Sequence, residues 1–403
     1  MMSMTKILLL DPDYPSPTKS HYHQNILPNA LLKLGAYYKS KGYEVKLLRL
    51  SEQDIPIQFE PDLICITSLF TYWIDYVRDA VDFAREFYPY ATVEVGGICA
   101  TLQPEYTKQY TNCDRVVCGP IAEVDKFLPD YSLLNQKEPN FQILTTSRGC
   151  NRNCYYCGVN KVEPHQTFKK TIKKDIFKRN LIFYDNNLLA NPHVEDILRE
   201  LIMAKRTRRI LRCDSISGFD GRILRKKPHL AKWLRAAGFK NPKIAWDSSI
   251  KTWNARKKEL DILVDAKFRK SEISVFMLFN HELSFEECEK KRVKLYNYGV
   301  QITGCRFRPY DQYYDSFYGK WNEQTSDDYY IHDNWTDEEV RVFNSNIRRH
   351  NTCIRYESKY YSNTMFHKKV PYEQAQKLKK LSADEACEYL DDVVDLSKYT
   401  DCR

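Results

Sequence analysis

From Lys6 to Gly119 short apolar runs alternate with stretches of helical periodicity, and this alternation restricts the fold more than any other feature of the chain. Lys6–Leu10 is a continuous apolar run that ends at Asp11 and Pro12, as a strand buried on both faces would be. Pro28 stands ahead of a helical pattern over 29–41, with proline suited to a first helical turn and Gly42 to the position just past the end. Strands are expected over Val45–Leu50, Asp62–Thr67, Thr92–Val95 and Arg115–Cys118, with a helix over Tyr72–Tyr88. Strands linked through helices run parallel. The expectation is therefore an α/β protein that opens with a Rossmann-like open parallel sheet carrying helices on both faces.

The pattern lapses over Pro129–Pro139, which reads as a linker, and then resumes. Strand-like runs recur at Phe141–Thr145, Leu181–Tyr184, Ile210–Cys213, Lys243–Ala245, Ile273–Phe279 and Gln301–Thr303. Ser284 to Glu287 reads as a capping box, and Gly299 closes the helix that follows. Six such βα units suggest a partial (β/α)6 barrel. From Tyr313 the chain becomes aromatic and irregular, and Thr336–Glu339 and Ser382–Glu385 then cap helices of a small, mostly helical C-terminal region. The expected domains are 1–135, 136–312 and 313–403.

With 43% hydrophobic and 29% charged residues, the chain has the composition of a globular protein. It contains no apolar run of the roughly 18 residues needed to cross a membrane. Acidic residues and prolines follow the first apolar run, unlike a signal peptide, so a cytoplasmic protein with reduced thiols is expected. Those of the 13 cysteines that cluster then become candidate metal ligands. The formal charge is +9, and residues 148–240 carry 22 Lys and Arg against 8 Asp and Glu. The basic runs Lys169–Lys174, with Lys178 and Arg179, and Lys205–Arg212 are either a solvated face or the footprint of an anionic, peptide or nucleic-acid partner.

Cys150, Cys154 and Cys157 stand at C-x3-C-x2-C directly after an expected strand. Thiolates suit iron–sulfur clusters, and three of them would leave one iron of a [4Fe–4S] cubane open to a small chelating ligand. Zinc generally takes four ligands, and the nearest further candidate is His165.

This motif resembles that of the radical S-adenosylmethionine superfamily, with Tyr156 where members pack an aromatic residue near the adenine. The resemblance extends to Tyr184–Asn187, Gly218–Arg222, Trp246–Ser249 and Arg306–Pro309. It implies that Cys150, Cys154 and Cys157 hold the cluster, and that Tyr156, Asp185, Asn186, Asn187, Asp214, Ser215, Asp247 and Arg308 contact S-adenosylmethionine. It also implies reductive cleavage to a 5′-deoxyadenosyl radical, with an electron donor such as flavodoxin or ferredoxin. From the residues alone, Asp185 and Asp247 could equally be helix caps, and Arg306 and Arg308 structural ion-pair partners. The glycine-glycine-acidic motif of many members is replaced by Asp185, Asn186 and Asn187. A rival reading is a non-catalytic iron–sulfur or nucleic-acid-binding protein with a structural cluster.

The N-terminal part resembles the cobalamin-binding domains that precede some radical cores, through Pro28–Leu32, Ile66–Leu69, Val95–Gly97 and Cys118–Pro120. The histidine-bearing loop of those domains is absent, since His21 and His23 lack its context, so any cobalamin is expected to bind without a histidine ligand. A second cluster on Cys65, Cys99, Cys113 and Cys118 is a further, weaker possibility.

Overall fold

The structure is a computed structural model that describes residues 5–15, 27–52, 55–135, 138–319 and 322–357, together with Lys377, Leu381 and Glu385. The chain packs as two compact units. One comprises Met1–Asn186 with Arg308–Ser316, and the other Asn187–Phe307 with Phe317–Arg403.

The first unit is built on a parallel sheet of β1 (Lys6–Asp11), β2 (Glu44–Arg49), β3 (Leu63–Ser68), β4 (Thr92–Gly97) and β5 (Arg115–Val117), in the order β2-β1-β3-β4-β5. Residue alternation sorts its side chains to two cores. Ile7, Leu9 and Cys65 pack under α1 (Asn29–Ser40). Leu8, Ile64, Ile66, Val93 and Val95 pack under α2 (Ile74–Phe87). Helix α2 buries Ile74, Val77, Ala80, Val81 and Ala84, the spacing of a single helix face. Short helices α3 (Ile98–Leu102), α4 (Pro104–Thr111) and α5 (Ala122–Asp125) follow the strand ends.

The segment expected to be a linker is part of this fold. Tyr131 and Leu133 are buried beneath α1, and the Ile143 N–H donates to the Tyr131 hydroxyl at 2.8 Å. Polar neighbours in the sequence masked these two anchors. Beyond it, β6 (Phe141–Leu144) pairs in parallel with β9 (Asn180–Phe183). Between them lie the antiparallel β7 (Ser147–Arg148) and β8 (Thr167–Phe168), with α6 (Val159–Val162) in the loop they bracket.

In the second unit, β11 (Lys243–Ala245), β12 (Ser274–Phe279) and β13 (Gln301–Arg306) form a parallel sheet. The strand expected at Ile210–Cys213 is displaced to β10 (Arg212–Ser215), where Cys213 bridges Phe239. Its helices are α7 (Val194–Arg206), α8 (Gly221–Lys226), α9 (His229–Ala237), α10 (Trp253–Asp265), α11 (Phe285–Tyr298) and α12 (Asp337–Tyr356). Thr336 and Glu339 make both bonds of a capping box on α12. Ser284 caps α11, but Glu287 does not return the bond. Its carboxylate instead accepts from the Ile250 N–H at 2.8 Å. The cap expected at Ser382 lies outside the described residues, as do His21 and His23. No helix among the described residues is long and apolar enough to cross a membrane.

His350 on α12 is fully buried, and its Nε2 donates to the Val300 carbonyl at 2.7 Å, while Nδ1 has no partner among the described residues. Burial pushes its pKa down to about 4. The unfolded chain therefore takes up a proton near pH 6.5 that the folded chain refuses until about pH 4. Stability present above pH 6.5 is lost as pH falls through that window, by about 3 kcal/mol from this one group. Urea unfolding at pH 7 and pH 4.5 should show this loss in the native chain and a smaller one in His350→Gln, which keeps a donor for Val300.

Candidate functional site

The three cysteines lie in one loop between β7 and β8, immediately past the C-terminal end of β6. All three are half-buried and outside any disulfide. The Cys157 N–H donates to the Cys154 carbonyl at 2.9 Å, and the Arg152 N–H donates to Cys150 Sγ at 3.4 Å. The sulfurs are not drawn into a ready-made ligand set. Among the described residues no group of three or more His, Cys, Asp or Glu side chains is placed to hold a metal ion. His165 is exposed on the same loop. By donor type and exposure the loop fits an iron–sulfur cluster. Three soft thiolates within eight residues are what such a cluster takes, and an N–H directed at a sulfur is an interaction that also serves a metal-bound thiolate.

The loop is closed by a residue with no signal in the sequence. Glu163 accepts from the Gly149 N–H at 2.6 Å, from Arg148 Nη1 at 2.9 Å and from Asn186 Nδ2 at 2.7 Å. Gly149 has φ +71, and a Cβ there would lie 3.0 Å from the His165 carbonyl and 3.1 Å from that of Glu163, so the loop's two ends approach through a glycine. Arg148 also binds Asp125 at 2.6 Å, and Lys33 of α1 reaches the same Asp125 oxygen at 3.1 Å. Burial works to raise the Asp125 carboxyl, but Arg148 and Lys33 outweigh it and hold its pKa below the ordinary value. A chain of ion pairs thus runs from α1 to the cysteine loop across residues 33, 125, 148 and 163, too far apart in sequence to announce one another. Glu163→Ala removes three bonds to one carboxylate. Hydrogen exchange over 149–163 is expected to speed up by at least about tenfold, with the sheet of β1–β5 unaffected.

Asp185, expected at a cofactor, is turned into the protein. It is fully buried, and its carboxylate accepts from the Thr146 N–H at 2.9 Å, the Thr146 hydroxyl at 2.6 Å and the Ser147 hydroxyl at 2.7 Å. Burial nonetheless raises its pKa. It thereby ties the end of β9 to the segment entering the cysteine loop. Asn186 braces the loop through Glu163, and Asn187, in the second unit, donates to Asp220 at 3.2 Å. Tyr156 is half-buried on the loop, edge-on to Tyr155 with ring centres 5.2 Å apart.

The remaining expected positions are also engaged. Asp214 pairs with Arg212 at 2.7 Å, and Ser215 donates to the Gly218 carbonyl at 3.1 Å. Asp247 accepts from the Leu278 N–H at 3.1 Å, a bond to a neighbouring strand. Arg308 pairs with Asp315 and lies 4.6 Å from the centre of the Tyr72 ring. Arg306 lies over Phe317 and Tyr329.

The cysteines weighed for a second cluster are not gathered. Cys65 belongs to the core under α1, and burial pushes its thiol up to about 12, while Cys99 and Cys113 belong to the core on the opposite face of the sheet. Of the two glycines ending β4, Gly97 serves the sheet itself. Its φ is +106, and a Cβ there would sit 2.2 Å from the Ser68 carbonyl oxygen. Gly96, with Thr67, Gly119 and Pro120, lines a cavity of about 210 Å³ beside α1.

The basic runs are only partly paired. Lys169 pairs with Asp175, Lys178 with Glu138 and Arg212 with Asp214, whereas Lys170, Lys173, Lys174, Arg206 and Arg208 are exposed. No protein-family model matches this sequence, and no curated protein matches it.

Proposed function

We propose that the chain is a radical S-adenosylmethionine enzyme, with the partial barrel expected from its sequence as the body that carries the reaction. The observation that supports this reading is the placement of Cys150, Cys154 and Cys157 as three half-buried thiols in one braced loop at the end of β6. When bound by these cysteines, a [4Fe–4S] cluster supplies the electron that cleaves S-adenosylmethionine to methionine and a 5′-deoxyadenosyl radical, which takes a hydrogen atom from the substrate. The chain's own residues have positioning work. Glu163 and Gly149 close the loop, Asp185 fixes the strand end from which it springs, and the Arg152 N–H is aimed at Cys150 sulfur. The half-buried Tyr156 offers an aromatic ring beside Cys157 for an adenine. No histidine is assigned to cobalt.

The test is anaerobic reconstitution with iron and sulfide, reduction with dithionite, and chromatography for 5′-deoxyadenosine after adding S-adenosylmethionine. Release of 5′-deoxyadenosine is expected. A brown, iron-loaded protein that releases none would instead favour a structural cluster.

A further inference from the structure

A second concave feature of the first unit lies between the end of β5 and the cysteine loop. It is a cleft of about 720 Å³, a volume typical of small-ligand sites. Its wall carries four cations, Lys126, Arg148, Lys161 and Lys169, against one carboxylate, Asp125. Two of these cations are committed elsewhere. Arg148 is bound to Asp125 and Glu163, and Lys169 to Asp175. Lys126 and Lys161 are not. Both side chains are exposed, and neither ammonium makes an ion pair or hydrogen bond to another described residue. Lys161 rests 4.8 Å from the centre of the Tyr310 ring, a contact that holds its ammonium without neutralising it. The Thr101 and Thr167 side chains add hydroxyls to the wall, and Pro164 and Phe168 give it an apolar side.

Cations left uncompensated in a concave site focus a positive potential there and favour a group that brings negative oxygen atoms. We propose that this cleft binds a small molecule bearing a phosphate or carboxylate group, its anionic end held by Lys126 and Lys161 and its body against Pro164 and Phe168. The cleft shares Arg148, Lys161 and Val162 with the structure that braces or forms the cysteine loop. Calling the bound molecule the enzyme's substrate rests on the proposed function. The binding itself rests on the cleft alone. A small molecule is favoured over a nucleic acid because the free cations sit inside a bounded cleft, whereas the neighbouring exposed lysines 170, 173 and 174 lie outside its lining.

The test is calorimetric titration of the full chain at low ionic strength with inorganic pyrophosphate and, separately, with citrate, which divides the phosphate from the carboxylate source. One of the two should bind. Lys126→Ala and Lys161→Ala should each weaken it by about tenfold, while Lys232→Ala, an exposed lysine of the second unit, should not. Binding should also survive in Cys150→Ala, so failure of the cluster assignment and failure of this site are read separately. Three results would overturn the proposal: no binding of either anion, affinities unchanged in both lysine variants, or binding only of single-stranded RNA in a manner that grows with its length.

Discussion

On the proposed reading the reconstituted protein should carry about four irons, be brown and cleave S-adenosylmethionine, and replacing any one of Cys150, Cys154 and Cys157 with alanine is expected to remove all three properties. The expectation follows from ligand number. Three thiols in one loop are the only protein donors this reading gives the cluster, and two cannot hold a cubane. The exposed Cys118 and the buried Cys65 provide the comparison, since neither lies on the loop. Cys118→Ala should keep its iron. Iron and sulfide analysis with visible spectroscopy measures the effect, and full iron loading in all three loop variants would end the assignment.

Asp185→Ala should be the most damaging single change outside the cysteines, and through folding, with any loss of cofactor contact secondary. The substitution leaves the Thr146 N–H, the Thr146 hydroxyl and the Ser147 hydroxyl without their acceptor in a site closed to solvent. Each unsatisfied buried donor costs about 1–3 kcal/mol, so a loss of at least about 3 kcal/mol is expected. Asp185→Asn keeps one carbonyl oxygen for these donors and should lose much less. Urea denaturation measures both, and S-adenosylmethionine binding by the Asn variant separates the two roles. A stable Asp185→Ala protein whose only defect was weaker binding of S-adenosylmethionine would restore the residue to the cofactor.

Much of the architecture could be read from residue order. The run Lys6–Leu10, the Pro28-to-Gly42 helix and the strand before Gly96 appear where their periodicity placed them, because each is a local pattern of burial and backbone preference. Errors arose where a distant partner decided the outcome. Tyr131 and Leu133 looked like linker residues until α1 covered them. Glu287 looked like half of a capping box, but the Ile250 N–H, 37 residues away, took its carboxylate. Lys178, read as part of an open basic face, is paired with Glu138, 40 residues away, while Lys170, Lys173 and Lys174 of the same run stay exposed.

The cysteine site divides in the same way. Its donors and their spacing are covalent facts of the chain, so the sequence by itself determined which three thiols share a loop and what chemistry they suit. It could not show that Asp185 faces inward to Thr146 and Ser147, or that Glu163 closes the loop. Nor could it show that Lys126 and Lys161 are left uncompensated in a common cleft. Those outcomes depend on which polar group finds a partner across tens of residues once water is excluded. Hydrogen bonding and charge pairing act through distance in space, and only the tertiary structure sets those distances.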